Sequence, residues 1–462
     1  MTRRSALLLG GGGVLAVGAG ALLVTRAGFG SSRLGPEPAI ADLASLTPRS
    51  ALWSQRFQPG HGWTAGGSGT ASASPNDTSL FTSGSQSFGV TTAGNGVQSF
   101  IRRADLPPMD LTGKMIRLVF RVEDVTHLKN MAFYLGDSDF SNYYYWNFHT
   151  HSSQWDNYVQ SGEWVTVHLQ WADVTGAAGA CKISGVGVPS VKSGFTDLSF
   201  ALYDDAKGPV RYHLQAVELV NDTTRTFPRG AVSITFDDSF QSVHDLARPV
   251  MDAHKFAGTI YNIADAAGTS RYLTMNQMKD LQDGSGWEMA GHAYSMDAHN
   301  QGYDQLTAKQ VDTDLRKLRA WLTSNGFPSD HFAYPHGTFS ATKDGVPVDS
   351  IVKQHFVTGR SIISETTESF RPAMPHRLKA LTGVSDAEDP GYPVSAVTGV
   401  GGELDRCANN GDWLIFCFHQ ITTGKLTGNT QISLAGFTAI VAAIEARGIP
   451  VVTVNEALAH YS

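Results

Sequence analysis

In the second half of the chain a short apolar run stands directly before a pair of carboxylates. Ala231-Val232-Ser233-Ile234 reads as a buried strand, and Thr235-Phe236-Asp237-Asp238 closes it. Residues 241–255 follow with helical periodicity. The pattern recurs. Trp287-Glu288-Met289-Ala290 leads into Gly291-His292-Ala293-Tyr294-Ser295, with His299 shortly after. Phe332-Ala333-Tyr334 meets the turn Pro335-His336-Gly337, and the run from Trp413 to Phe418 ends in His419-Gln420. Apolar strands alternating with amphipathic helices predict an α/β domain, and parallel sheets gather ligands at the C-terminal ends of their strands. The Asp and His residues at these strand ends are therefore expected to converge on one site.

Adjacent carboxylates repel, and a bound cation keeps both ionised. One of Asp237 and Asp238 can then ligate the ion while the other stays free as a base. An Asx turn capping the next helix accounts for the pair equally well when it is taken alone. With the downstream histidines included, one carboxylate and two neutral imidazoles suit Zn²⁺ or another borderline divalent ion.

From about residue 229 to 460 the chain resembles the polysaccharide deacetylase family, carbohydrate esterases that remove N-acetyl groups from sugar polymers. The resemblance rests on Thr235-Phe236-Asp237-Asp238, with Ser239 where the family has Gly, and on the His292, Tyr334 and His419 segments. It implies a distorted (β/α) barrel, with Asp237 as catalytic base and Asp238 as metal ligand. The family's second motif, H-[S/T]-x-x-H, supplies two histidine ligands. His292 fits, but position 296 is Met. His299 becomes the second histidine if Met296-Asp297-Ala298 is an insertion, with Asp297 as rival ligand. Tyr334-Pro335-His336-Gly337 matches the turn of the third motif, but Phe332 or Ala333 stands where an Arg orients the base, so that Arg is missing or replaced. Cys417-Phe418-His419 stands for the family's L-x-H motif and implies His419 as general acid. Asp386 and Asp389, after an expected strand at 378–384, are candidates for the Asp that tunes it. Tyr294, Tyr334, Pro335 and His336 are expected to line the substrate, and a backbone N–H of the Tyr334 turn to hold the oxyanion.

The resemblance thus implies one divalent metal ion, zinc first, with Co²⁺, Ni²⁺ or Mn²⁺ as alternatives. The implied activity is hydrolysis of polysaccharide N-acetyl groups on an N-acetylated polysaccharide or cell-wall glycan. Two other readings stay open: an O-acetyl polysaccharide esterase on the same site, and a non-catalytic cell-envelope polysaccharide-binding protein.

The remainder of the chain divides by composition. Residues 1–29 carry Arg3-Arg4 before an uncharged Gly- and Leu-rich stretch running to Thr25, which resembles a twin-arginine export signal. Cleavage after Ala19-Gly20-Ala21 or retention as a single membrane anchor are the two outcomes, so a secreted or cell-envelope location is expected. Residues 30–50 read as a linker. Residues 51–225 are all β, with strands expected at 115–122, 130–135, 164–171, 198–203 and 210–220, and favour a jelly-roll-like sandwich. Strand alternation splits Tyr143-Tyr144-Tyr145-Trp146 into two aromatics on each face. One pair is then core, and the other is either a sugar-binding platform, joined by Trp155, or a pair buried under a neighbour. Asp137 and Asp139 suit a calcium site or a plain turn.

The barrel is expected over residues 226–462, packed against the sandwich. Its clearest helices are 307–325, with Val311, Leu315, Leu318 and Leu322 on one stripe, and 434–447, ended by Gly448. A strand at 449–454 is expected to close it. Three Cys make no disulfide framework. Cys407 is expected on an outer helix, and Cys417 inside the barrel. A net charge of −7 without a basic block argues against nucleic acid as a partner. A monomer is expected.

Overall fold

The computed structural model describes residues 49–148, 158–171, 181–185, 192–222, 227–327, 329–363, 367–388, 390–428 and 430–459. The export segment, nearly all of the linker, Trp155 and Asp389 lie outside the described residues.

The N-terminal region builds two six-stranded antiparallel sheets. In the first, Lys114–Val122 pairs with Arg211–Asn221 on one side and Glu163–Leu169 on the other. In the second, Leu128–Asp137 pairs with Asp197–Asp204 and Asn142–Phe148. Alternate residues point to opposite faces of a strand, and the sequence respects this: Ile116, Leu118, Phe120 and Val122 are buried while Arg117, Val119 and Arg121 between them are not. These side chains meet Phe133, Leu135, Phe200, Leu202 and Tyr212 in one hydrophobic core. Tyr144 and Trp146 are buried, and Tyr144 packs edge-on to Trp171 at 5.3 Å. Tyr143 and Tyr145 point the other way, and Tyr145 stacks on Tyr134 with centroids 5.3 Å apart. Asp137 accepts from Asn142 Nδ2, while Asp139 pairs with Arg102, so both serve the left-handed turn Ser138-Asp139-Phe140. Neither joins a metal-ligand group among the described residues.

The C-terminal region forms a seven-stranded parallel sheet. Within it Ala231–Asp237 is flanked by Thr259–Ile263 and Trp413–Phe418. Beyond Thr259–Ile263 come Glu288–Ala293, His331–Ala333 and Thr358–Arg360, and beyond Trp413–Phe418 comes Leu381–Thr382. A bridge from Arg360 to Leu378 brings the two ends towards each other. The sheet has two cores. Its outer face packs on helices such as Ala308–Ser324 and Leu434–Ala446. Its inner face is a smaller cluster in which Ala231, Ala290, Ala333 and Ala380 leave room for Tyr261, Phe370 and Trp413. Cys417 lies in that inner cluster, and Cys407 lies on helix Glu403–Asn410; both are free thiols.

Two expected strands differ. Residues 449–454 contribute only a bridge from Val451 to Val232, and helix Val454–Ala459 begins at once. The span 378–384 breaks into Leu381–Thr382 and a second short strand, Val384–Ser385, separated by Gly383 at φ 70°. Among the described residues no helix is long and apolar enough to cross a membrane.

Candidate active site

At the end of Ala231–Asp237 the backbone passes through two successive left-handed residues, Asp238 at φ 69° and Ser239 at φ 61°. Each such non-glycine residue costs roughly 1–2 kcal/mol. Ser239 offsets this through its hydroxyl, which donates to Asn262 Oδ1 at 3.0 Å, and its carbonyl, which accepts from Leu273 N at 2.8 Å. The turn separates the two carboxylates, so that each meets a different set of partners.

Asp237 points into the barrel and is 3% exposed. Arg360, fully buried on Thr358–Arg360, donates from Nη2 to both of its carboxylate oxygens. Cys417 Sγ–H donates to Oδ2 at 3.4 Å. Burial opposes the charge on Asp237, but Arg360, with His292 and His419 behind it, holds the pKa below the usual carboxylate value. No Arg stands near Phe332 or Ala333 in sequence, but Arg360 bonds to Asp237 in its place. It enters from the adjacent strand, where its guanidinium also lies 5.0 Å from the Tyr261 ring centroid. Sequence reading missed it because it sits well beyond the turn where it was sought. The available signal was Thr358-Gly359-Arg360, a short strand ending in a cation.

Asp238 faces the histidines. His299 Nε2 is 3.0 Å and His292 Nε2 3.4 Å from Asp238 Oδ1. The other ring nitrogens are occupied: His292 Nδ1–H donates to Ala333 O at 2.7 Å and His299 Nδ1–H to Asn300 Oδ1 at 3.2 Å. These partners set the tautomers and leave both Nε2 lone pairs aimed at Asp238. Asp238 Oδ1 is buried without a hydrogen-bond partner, and the three ligand atoms lie within 4.8 Å of one another. With both imidazoles neutral, three lone pairs would converge here, a donor set that fits a divalent cation. Without an ion, burial opposes the charge of Asp238, but the two imidazoles drive its pKa far below the usual range. Burial lowers the His299 pKa as well, yet the Asp238 carboxylate outweighs it and the value is raised.

His299 reaches this position because Ser295 caps the short helix Met296–Gln301, its hydroxyl accepting from Ala298 N at 3.1 Å. The helix turns Asp297 outwards, where it is exposed and accepts from Gln301 Nε2 at 2.9 Å. The structure brings together Asp238, His292 and His299 and leaves Asp297 out.

His419 follows Trp413–Phe418, with Nε2 4.0 Å from Asp237 Oδ2. Burial lowers its pKa against the pull of Asp237 and Asp238, and Arg360 and His292 add to the lowering. Asp386, a candidate partner for it, instead accepts from the backbone N–H and hydroxyl of Ser433 at the start of helix Leu434–Ala446.

The Tyr334 turn is a wall of the site. Tyr334 is buried and donates its hydroxyl to His376 O at 2.8 Å, and Pro335 is buried beside it. His336, left-handed at φ 57°, donates from Nε2–H to His299 O at 2.9 Å and so ties the turn to the helix that carries His299. The amides of Tyr334, Gly337 and Thr338 are committed to Arg360 O, Tyr334 O and Pro335 O. Pro335 has no N–H, which leaves the His336 amide as the remaining N–H of this turn. Gly337 cannot carry a side chain, since a Cβ there would meet Ile362 Cγ1 at 2.3 Å. Tyr294 packs its ring on the outer core, with Lys317 Nζ 5.3 Å from the ring centroid, and makes no described contact with the ligand group.

Residues 224–347 match the family model described as polysaccharide deacetylase. The match takes in the Asp pair, His292, His299 and the Tyr334 turn, and stops before Arg360 and His419. A poly-beta-1,6-N-acetyl-D-glucosamine N-deacetylase of Staphylococcus epidermidis is 22% identical over 156 residues, covering 31% of this chain and 54% of that protein. Its namesake from Staphylococcus aureus is 25% identical over 129 residues, covering 25% of this chain and 44% of that protein. This chain thus spans about half the length of the curated relatives it matches. A solved family 4 carbohydrate esterase from Streptomyces lividans, in complex with acetate, aligns with TM-score 0.29 and 18% identity over 48% of this chain and 91% of that one.

Proposed function

Taking residues 224–347 as a polysaccharide deacetylase segment, we propose that the chain is an exported, metal-dependent hydrolase that removes N-acetyl groups from a polysaccharide. One observation carries the reading: three converging ligand atoms stand beside a carboxylate held by a buried arginine, with an imidazole 4.0 Å from that carboxylate. A divalent ion, zinc first, held by Asp238, His292 and His299 would supply a more acidic water and a Lewis acid for the amide oxygen. Asp237 takes the proton of the attacking water at Oδ2, the oxygen that faces both His292 and His419 at 4.0 Å. Arg360 keeps that carboxylate ionised and fixes its rotamer. The His336 amide is the donor for charge developing on the acetyl oxygen. His419 gives a proton from Nε2 to the leaving amine nitrogen. Its lowered pKa leaves it neutral at rest, so it must first collect a proton, and the nearest source is the one that Asp237 has just accepted. The products are acetate and a free amino sugar.

The polymer named for the staphylococcal relatives, poly-β-1,6-N-acetyl-D-glucosamine, is the first substrate to test. The N-terminal sheets are read as a jelly-roll-like sandwich whose Tyr143 and Tyr145 face outward, and the twin arginines as the export address. The deciding experiment measures acetate release from N-acetylglucosamine oligomers and from acetylated xylan, after chelation and after readdition of Zn²⁺ or Co²⁺. Zinc-restored release from the oligomers is the expected result. Release from xylan alone would make the enzyme an O-esterase, and no release from either would reject catalysis.

A further inference from the structure

Two aromatic side chains on segments next to Asp238 lie outside the cores of the barrel. Phe240 follows Asp238 by two residues, and Tyr272 faces it across an antiparallel bridge. Gln241 N donates to Arg271 O at 2.7 Å and Leu273 N to Ser239 O at 2.8 Å, which locks the two segments together. The rings lie 5.4 Å apart between centroids, with their planes 18° from parallel. Both are only half-buried. Neither is among the side chains packed against the barrel cores, whereas the half-buried Phe256, Tyr294 and Trp321 are. The exposed Arg271 places its guanidinium 5.9 Å from each of the two centroids.

The backbone that carries this pair is strained. Asp238, Ser239 and Arg271 are all left-handed without being glycine. Strain of this kind persists where the surroundings over-determine it, and it clusters at ligand sites. Here it holds a rigid aromatic pair beside a residue of the metal-ligand group. The outer faces of the stacked rings, with a phenol and a guanidinium close by, suit a pyranose. Its C–H face packs on the rings, and its hydroxyls accept from the cation.

We propose that Phe240 and Tyr272, with Arg271, form a subsite for a neutral hexosamine unit adjacent to the one that loses its acetyl group. The proposal deepens the deacetylase reading and rests on it for the identity of the neighbouring unit. The test uses the full zinc-loaded chain and its Phe240→Ala and Tyr272→Ala variants. Calorimetry measures the affinity for hexamers of N-acetylglucosamine, β-1,6- and β-1,4-linked. Steady-state assays compare kcat/KM on the hexamer with that on a small chromogenic acetate ester. The expected result is a loss of about tenfold in hexamer affinity in either variant, and a similar fall in the ratio of hexamer to ester kcat/KM. Unchanged hexamer affinity overturns the subsite. So does an equal loss on hexamer and ester, which would make the pair a prop for Asp238. If the parent binds the hexamer through these rings yet releases no acetate, the deacetylase reading fails while the glycan subsite stands. A parent that neither binds nor cleaves the hexamer overturns both.

Discussion

Asp237 and Asp238 are neighbours in sequence, and the left-handed turn between them gives them separate partners. Replacing Asp237 with Asn keeps the shape and removes the base, so zinc content should hold while kcat falls by roughly a hundredfold or more. Near-normal turnover would reject the assignment. Arg360→Met removes the only buried cation on that carboxylate among the described residues; breaking such a pair costs about 3–5 kcal/mol, and turnover should fall with it. Metal analysis decides the third ligand: His299→Ala should lose zinc and Asp297→Ala should keep it. The metal-free protein carries a pH signature. The raised pKa of His299 gives stability that is present below its unfolded value, and that stability is lost as pH rises through the folded pKa. The lowered pKa of Asp238 gives stability that is present above the ordinary carboxylate range and lost as pH falls through it. Zinc needs a neutral His299, so the gain in melting temperature on adding zinc should grow as pH rises through that raised pKa. A gain independent of pH would count against His299 as a ligand. Asp237, Asp238, His292 and His419 were legible because strand ends bearing acids and imidazoles stand out against apolar runs. Arg360 was not, because which strand supplies a side chain to a barrel interior is a matter of tertiary neighbours.

At the scale of elements, local chemistry decided what could be read. Residues 307–325 combine an apolar stripe with Thr307 and Gln310, and the structure has helix Ala308–Ser324 with both side chains in a capping box. Thr307→Ala should cost about 1 kcal/mol in chemical denaturation and leave zinc content unchanged. A loss of metal would mean that the helix positions the ligands more directly than its place on the outer core suggests. The span 449–454 shows the reverse case. Its apolar residues read as a strand, and Val232 does bond to Pro450 O and Val452 N. The pairing stops there because Thr453 N–H donates to Glu456 Oε2 rather than to a neighbouring strand, while Glu456 N donates to Thr453 Oγ1. Thr453-Val454-Asn455-Glu456 has the pattern of a capping box, and it starts a helix where the apolar run would otherwise continue as a strand.

For the whole molecule, the decisive contacts join regions far apart in sequence. Arg377 is 1% exposed, and it donates to Glu163 on an N-terminal strand, to Tyr158 O at 2.6 Å and to Asp349 Oδ2 at 2.7 Å. Lys379 Nζ adds a bond to Gln170 Oε1 at 3.0 Å, and Ile363 and Met374 pack against the N-terminal core. The short polar stretch near Asp222 suggested that the two regions pack together, but nothing in the sequence paired Arg377 with Glu163, since both lie in ordinary polar surroundings. The contact bears on the site, because the neighbouring His376 carbonyl receives the Tyr334 hydroxyl and the Arg377 guanidinium lies 4.8 Å from the Phe339 ring centroid. A barrel expressed alone would leave Arg377 with Asp349 and the Phe339 ring and would uncover Met374 and part of Ile363, so the N-terminal sheets contribute to stability even if they never touch substrate. Arg377→Met tests this in the full chain. It keeps volume but strands Asp349 and the partly exposed Glu163, and should destabilise by about 3 kcal/mol. Calorimetry of the parent should show one transition, and the variant should show two, as the sheets and the barrel uncouple. A variant that still melts in a single transition at the parent's temperature would mean that the two regions are held together by their apolar contact alone.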